Sequence, residues 1–194
     1  MRRFFTAISI LMVPTVLLTS CSYRWGFRER AVPGGYKQIA VPMFKNKSNQ
    51  VGIESDFTNA LVLQFERSQV AQVTSKAVAP VRIDGEIVKV TVSGTGGGLL
   101  GGTDPTNPLP TDAALWTEYQ IDVDAVITVK RQSDEKVLWT SKFHEQKNYQ
   151  SPRIGEPTVN SANATYNESA LRHTLADLAD DMMSEAHDRI TENF

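Results

Sequence analysis

The sequence is poor in cysteine. Cys21 stands alone among 194 residues, which excludes an internal disulfide and a zinc site built from cysteines. The three histidines, His144, His173 and His187, show no His-x-x-x-His spacing, so metal binding has no sequence support. They read as solvated or partly packed side chains. Concentrated positive charge is missing too. The formal net charge is −2, whereas phosphate-driven binding of nucleic acid needs a cationic face. No Gly-x-Ser-x-Gly elbow accompanies the serines, so a serine hydrolase is not indicated. Gly96 to Gly101 does match Gly-x-Gly-x-x-Gly, but Pro105, Pro108 and Pro110 follow. A dinucleotide site would need a helix to begin there, with its amides facing the pyrophosphate. No cofactor is implied and no catalytic residue is assigned. Asp122 and Asp124 share a strand face, which is more often solvated than an acid–base pair.

Nor is there an apolar run long enough to cross a bilayer as a helix. The best candidate, Phe4 to Leu18, falls short of the roughly 20 residues required. It reads instead as the core of a leader, residues 1–20, opened by Arg2 and Arg3. The leader ends Leu18-Thr19-Ser20-Cys21, which resembles the lipobox of bacterial lipoproteins. Small residues there admit the backbone to a peptidase cleft, and the cysteine thiol is the nucleophile that takes up lipid. Cleavage before Cys21 leaves 18 basic against 22 acidic residues, a formal −4. Each buried acyl CH₂ contributes about 0.8 kcal/mol, so several acyl chains hold a protein firmly on a membrane. Ser22 follows where lipoproteins kept in the inner membrane often carry Asp. The expected location is therefore the periplasmic side of the outer membrane, anchored through acylated Cys21.

Residues 21–35 read as a tether ending in Pro33-Gly34-Gly35, and residues 36–194 as one domain. Tyr36 to Phe44 alternates as a strand. Ile53, Phe57, Ala60, Leu61 and Phe65 fall at helical spacing, predicting an amphipathic helix over Val51 to Ser68. A second strand runs from Val81 to Val92. Its apolar phase changes near Ile87, placing Val88, Val90 and Val92 on the face opposite Val81, Ile83 and Ile87 and suggesting a β-bulge or a strand buried on both faces. Ser93 to Leu115 is rich in glycine and proline and reads as a long loop with an apolar Leu99-Leu100 tip. Trp116 to Arg131 and Val137 to about Tyr149 form a hairpin turning at Ser133-Asp134. A last helix, about Thr165 to Ile190, carries Leu171, Leu175, Leu178, Met182, Ala186 and Ile190 on one stripe. The predicted fold is α+β, in the order βαβββα: a two-layer sandwich of a four-stranded mixed sheet covered on one face by two helices.

Ile39-Ala40-Val41-Pro42-Met43-Phe44-Lys45-Asn46-Lys47-Ser48, then Gly52-Ile53-Glu54 and Phe57-Thr58-Asn59-Ala60-Leu61, resembles the LptE family of lipopolysaccharide-assembly lipoproteins. The start, Cys21-Ser22-Tyr23-Arg24-Trp25-Gly26-Phe27-Arg28, is similar to that family's opening, with Ser22 where glycine is common. Glu118-Tyr119-Gln120 also looks family-like. The resemblance implies a non-enzymatic role. Such proteins plug the lumen of the outer-membrane barrel LptD, help to assemble it, and contact lipopolysaccharide on its way out. A scaffold or pilotin of another envelope complex is the alternative reading.

A strand–helix–strand crossover makes the first two strands parallel. Hairpins then alternate direction. The ends near Phe44, Val92 and Tyr149 and the start near Trp116 should gather at one pole, opposite the tether. Lys45, Lys47, Lys147 and Arg153 would lie there with Leu99 and Leu100, as candidate contacts for the phosphates and acyl chains of lipopolysaccharide.

Overall fold

The computed structural model describes residues 30–95, 99–100, 114–116, 118–150 and 164–192. The leader, Cys21 and Arg153 lie outside the described residues.

Three long strands carry the sheet: β4 (Val81–Gly94), β7 (Glu118–Arg131) and β8 (Val137–Gln150). They pair antiparallel in the order β4-β7-β8. The shorter strands β1 (Gln38–Ala40) and β2 (Lys45–Asn46) both run parallel to β4, and β3 (Gln72–Val73) runs parallel to β1. Among the described residues the sheet thus has six strands where four were expected. Tyr36 to Phe44 is not one strand, because Pro42 has no N–H to give a ladder. The chain bulges there: five residue steps from Ala40 to Lys45 match four on β4, from Arg82 to Glu86. β3 has two residues, too few for alternation to announce it. The parallel crossover and the antiparallel hairpin are as expected.

The change of phase on β4 is a bulge. Ile87 faces Ala125 and Lys89 faces Asp124, leaving Val88 inserted between them. That insertion lets Ile87 and Val90 both be buried, while Val88 is exposed. Grouping Val88 with Val90 on simple alternation is therefore corrected by one residue.

Two helices cover one sheet face. Helix α1 (Ile53–Ser68) starts after Gly52, whose φ of 95° suits glycine, and ends at Gln69, which is left-handed and whose N–H closes onto Phe65 O. Glu54 and Asp56 in its first turn complement the helix dipole. Helix α2 (Ala164–Thr191) packs along α1 and β8. Phe57, Leu61 and Phe65 of α1 and Leu175, Leu178 and Met182 of α2 are buried against Ile83, Ile87, Ile121, Ile127 and Phe143. The opposite face has no cover among the described residues. It is polar: Asp124 meets His144 at 2.9 Å, and Thr128 meets Thr140 at 3.1 Å.

Two glycines on β4 make room for rings. A Cβ on Gly85 would stand 2.3 Å from the Phe44 ring, and one on Gly94 would stand 2.3 Å from Trp116. Both rings lie flat on strand backbone that any side chain would displace.

The tether enters at the end of the sheet where β4 begins and β7 ends. Arg30 pairs with Asp188 at 2.8 Å, Ala31 N donates to Thr191 O at 3.3 Å, and Val32 is buried. Arg131 Nε donates to Tyr36 Oη at 2.9 Å. Beside this seam, His187 is almost wholly buried. Its Nε2 shares a 2.7 Å hydrogen bond with Ser68 Oγ, and its ring meets Phe65 edge-on at 4.8 Å.

Leu178→Asp should cost about 4 kcal/mol or more, because it buries an unpaired charge beneath the sheet. Asp181→Lys loses one exposed ion pair with Lys147, worth about 0.2–1 kcal/mol. Urea denaturation of the two variants should separate them clearly; equal midpoints would mean that α2 is not oriented as described. A second expectation concerns acid. Burial holds the His187 imidazole below its usual pKa of 6.5, with Asp188 opposing the shift. A lowered folded pKa means that the unfolded chain takes up the proton first. Stability should therefore fall as pH drops below about 6.5, and His187→Gln should flatten the melting profile between pH 7 and pH 5. An unchanged slope would remove His187 as its source.

Candidate functional site

The residues that carry the sequence resemblance form a fixed corner between β2 and α1. Asn46 Nδ2 donates to Gln50 O at 2.6 Å and to Glu54 Oε2 at 2.9 Å, and its Oδ1 accepts from Ser48 N at 2.9 Å. Glu54 Oε2 also accepts from Gly52 N at 3.1 Å. Backbone and Asn46 donors hold the Glu54 carboxyl below its usual range. Thr58 Oγ1 accepts from Phe44 N at 3.0 Å and donates to Glu54 O at 2.6 Å. This satisfies a buried N–H that Pro42 and the bulge remove from the ladder. Lys47 pairs with Glu86 at 2.6 Å and its N–H donates to Ile87 O at 2.9 Å, extending β2. These residues give structure; nothing in their arrangement supplies a nucleophile or a general acid.

At the far end of the sheet, Gly94 faces Tyr119 and Glu118 faces Gln150. Tyr119 and Tyr149 stack at 5.3 Å. Burial pushes the Tyr149 hydroxyl up to about 12. Beyond this row, β5 (Leu99–Leu100) pairs with β6 (Ala114–Leu115), Leu99 opposite Leu115. Leu99 and Leu100 are thus rungs of a two-stranded ribbon, where the sequence suggested a loop tip.

Among the described residues, Lys45 and Lys47 are not brought together with Lys147; Arg153 lies outside them. Lys45 faces Glu86 in register, and Lys47 pairs with the same Glu86. Eight residue steps along β4 separate Glu86 from Gly94, about 25 Å at roughly 3.3 Å per residue. Lys147 does lie toward the far end, opposite Ile121. It points to the helix side, however, where its Nζ meets Asp181 Oδ2 at 2.8 Å, and that partner raises its pKa. The topology was right about direction. Strand length was the missing quantity, since β2 joins β4 near its middle.

Another cationic group went unseen in the sequence. Lys45, Lys76, Arg82 and Lys130 line one cleft of about 300 Å³ with Pro42, Met43, Asp84 and Gly85. These residues come from four separate segments, so no spacing could have signalled them. Among the described residues, no group of three or more His, Cys, Asp or Glu is placed to hold a metal ion.

A family model described as LptE, lipopolysaccharide-assembly, matches residues 36–192. The chain belongs to the LptE family. The match takes in the β2–α1 corner, all three long strands and both helices of this LptE-family chain. No curated protein matches it. Several solved structures are similar in shape. The PelC dodecamer from Paraburkholderia phytofirmans is 10% identical, with 81% of this chain and 90% of that chain covered and a TM-score of 0.49. A minor lipoprotein from Acinetobacter baumannii is 11% identical, covering 80% and 91%, with a TM-score of 0.46. Lipoprotein GNA1162 from Neisseria meningitidis is 11% identical, covering 72% and 98%, with a TM-score of 0.42.

Proposed function

We propose that the chain is a non-enzymatic lipoprotein, anchored through acylated Cys21 on the periplasmic side of the outer membrane. There it plugs and helps to assemble the barrel LptD and contacts lipopolysaccharide during export. Membership of the lipopolysaccharide-assembly family over residues 36–192 carries this reading. The fold suits it in two respects. The hydrogen-bonded corner and the buried helix face make a rigid body, and the open sheet face is polar enough to stand in a water-filled lumen. Domain boundaries follow the same reading: leader 1–20, tether 21–35, folded domain 36–194.

Two measurements test the anchor and the partner together. Fatty-acid labelling should mark the wild-type chain and not Cys21→Ala. The detergent-extracted wild type should co-purify with a stoichiometric β-barrel. A secretin or a peptidoglycan-bound partner in its place would favour the pilotin or scaffold reading, and turnover of an ester or peptide would defeat both.

For lipopolysaccharide itself we place the contact at the far end, with Leu99, Leu100, Lys147 and Arg153. Lys45 and Lys47 stand about 20–25 Å back along β4 from Gly94, at roughly 3.3 Å per residue, and would touch the ligand separately. Charge-assisted bonds to phosphate are the strong ones. Changing Lys147 and Arg153 together to Gln should weaken lipopolysaccharide binding several-fold with little change in melting temperature. Changing Lys89 and Lys142, which are exposed on the open sheet face, should not. Equal losses from the two pairs would make the attraction general and dissolve the site.

A further inference from the structure

The cleft at the tether end holds more positive charge than its own carboxylates neutralise. Arg82 Nε lies 2.7 Å from Asp84, and its terminal nitrogens meet Glu135 at 2.8 and 3.2 Å. Lys130 Nζ lies 3.5 Å from the same Asp84. Two carboxylates therefore balance Arg82 and Lys130. Lys45 and Lys76 line the same cleft and have no ion-pair partner among the described residues. Beside them stand exposed apolar side chains: Met43 is 60% exposed and Val78 is 62% exposed. Gln132 Nε2 donates to Lys76 O at 2.9 Å and to Ala79 O at 2.5 Å, fixing the loop that carries Lys76 and Val78.

The position of this cleft supplies the rest. It opens on the uncovered face of the sheet, toward the end where β4 begins and β7 ends, which is the end the tether enters. Nine residue steps separate Arg30 from Cys21. Fully extended they span about 30 Å, at roughly 3.3–3.6 Å each. An acylated Cys21 thus keeps this end of the domain near a bilayer surface. Two lysines without partners, flanked by exposed methionine and valine, suit a surface that presents phosphate above hydrocarbon.

We propose that the cleft lined by Lys45, Lys76, Arg82 and Lys130 binds the phosphate of an acidic phospholipid headgroup and so orients the domain on the leaflet that anchors it. The proposal rests on the acyl anchor in the reading above and is independent of the barrel partner. Arg82, held by Asp84 and Glu135, forms a fixed wall, and Lys45 and Lys76 close on the phosphate.

The test uses the full acylated chain reconstituted in phosphatidylcholine vesicles, with and without phosphatidylglycerol. Lysines are acetylated under limiting conditions and quantified by mass spectrometry. Phosphatidylglycerol should slow modification of Lys45 and Lys76 several-fold and leave Lys89 and Lys142 unchanged. In a Lys76→Gln variant the protection of Lys45 should be largely lost. Equal rates at Lys45 and Lys76 in both vesicle types overturn the proposal. So does equal slowing of all four lysines, which means general adsorption. Protection by inorganic phosphate in phosphatidylcholine vesicles, matching that of phosphatidylglycerol, assigns the cleft to a free anion and overturns the lipid. Flotation with phosphatidylcholine vesicles reports the anchor separately: a chain that floats without protection sinks the cleft alone, and one that does not float sinks the anchor and the proposal with it.

Discussion

The apolar rows of β4 and β7 face the same way, and covering that face is the constraint on which the rest of the molecule turns. Val81, Ile83 and Ile87 lie beside Ile121, Ile127 and Val129, all fully buried. A sheet with one such face folds only if something apolar is laid over it. Helices α1 and α2 do this, and they must also seal against each other. His187 sits at that seal with Phe65 and Ser68. The seam is then closed by the N-terminal segment, through Arg30 to Asp188 and Ala31 to Thr191. Loss of cover at one point is therefore felt by both helices and by the tether.

The residues with the most recognisable sequence pattern serve this architecture. Asn46, Glu54 and Thr58 lock the corner that sends the chain from the edge of the sheet up to α1. Gly85 allows the Phe44 ring to lie on β4, so an aromatic side chain helps to fill the core where the β1–β2 edge bulges.

Most of the long elements were legible. The stripe Leu171, Leu175, Leu178, Met182, Ala186 and Ile190 is buried throughout, because a 3.6-residue period survives any tertiary context that covers one side. The hairpin was equally plain from its alternation. Short parallel strands were not, since β2 and β3 have two residues each and their pairing is decided by tertiary contact. The basic residues show the same division. Alternation and crossover handedness set the direction in which Lys45, Lys47 and Lys147 travel and not how far. The cleft of Lys45, Lys76, Arg82 and Lys130 depends on register across three strands and a loop, which no local pattern encodes.

The sheet ends on one side at β8, a fourteen-residue strand with no further strand beside it among the described residues. Unpaired strands of that length invite cross-chain association. On β8 the solvent-side residues are Thr140, Lys142, His144, Gln146 and Asn148, and the helix-side row includes Glu145 and Lys147. A newcomer would have to dehydrate Lys142 and crowd the Lys147–Asp181 pair. The border of this protein is thus guarded by hydration, and a single exchange of Lys142 for isoleucine would turn a terminus of the sheet into a seed for aggregates.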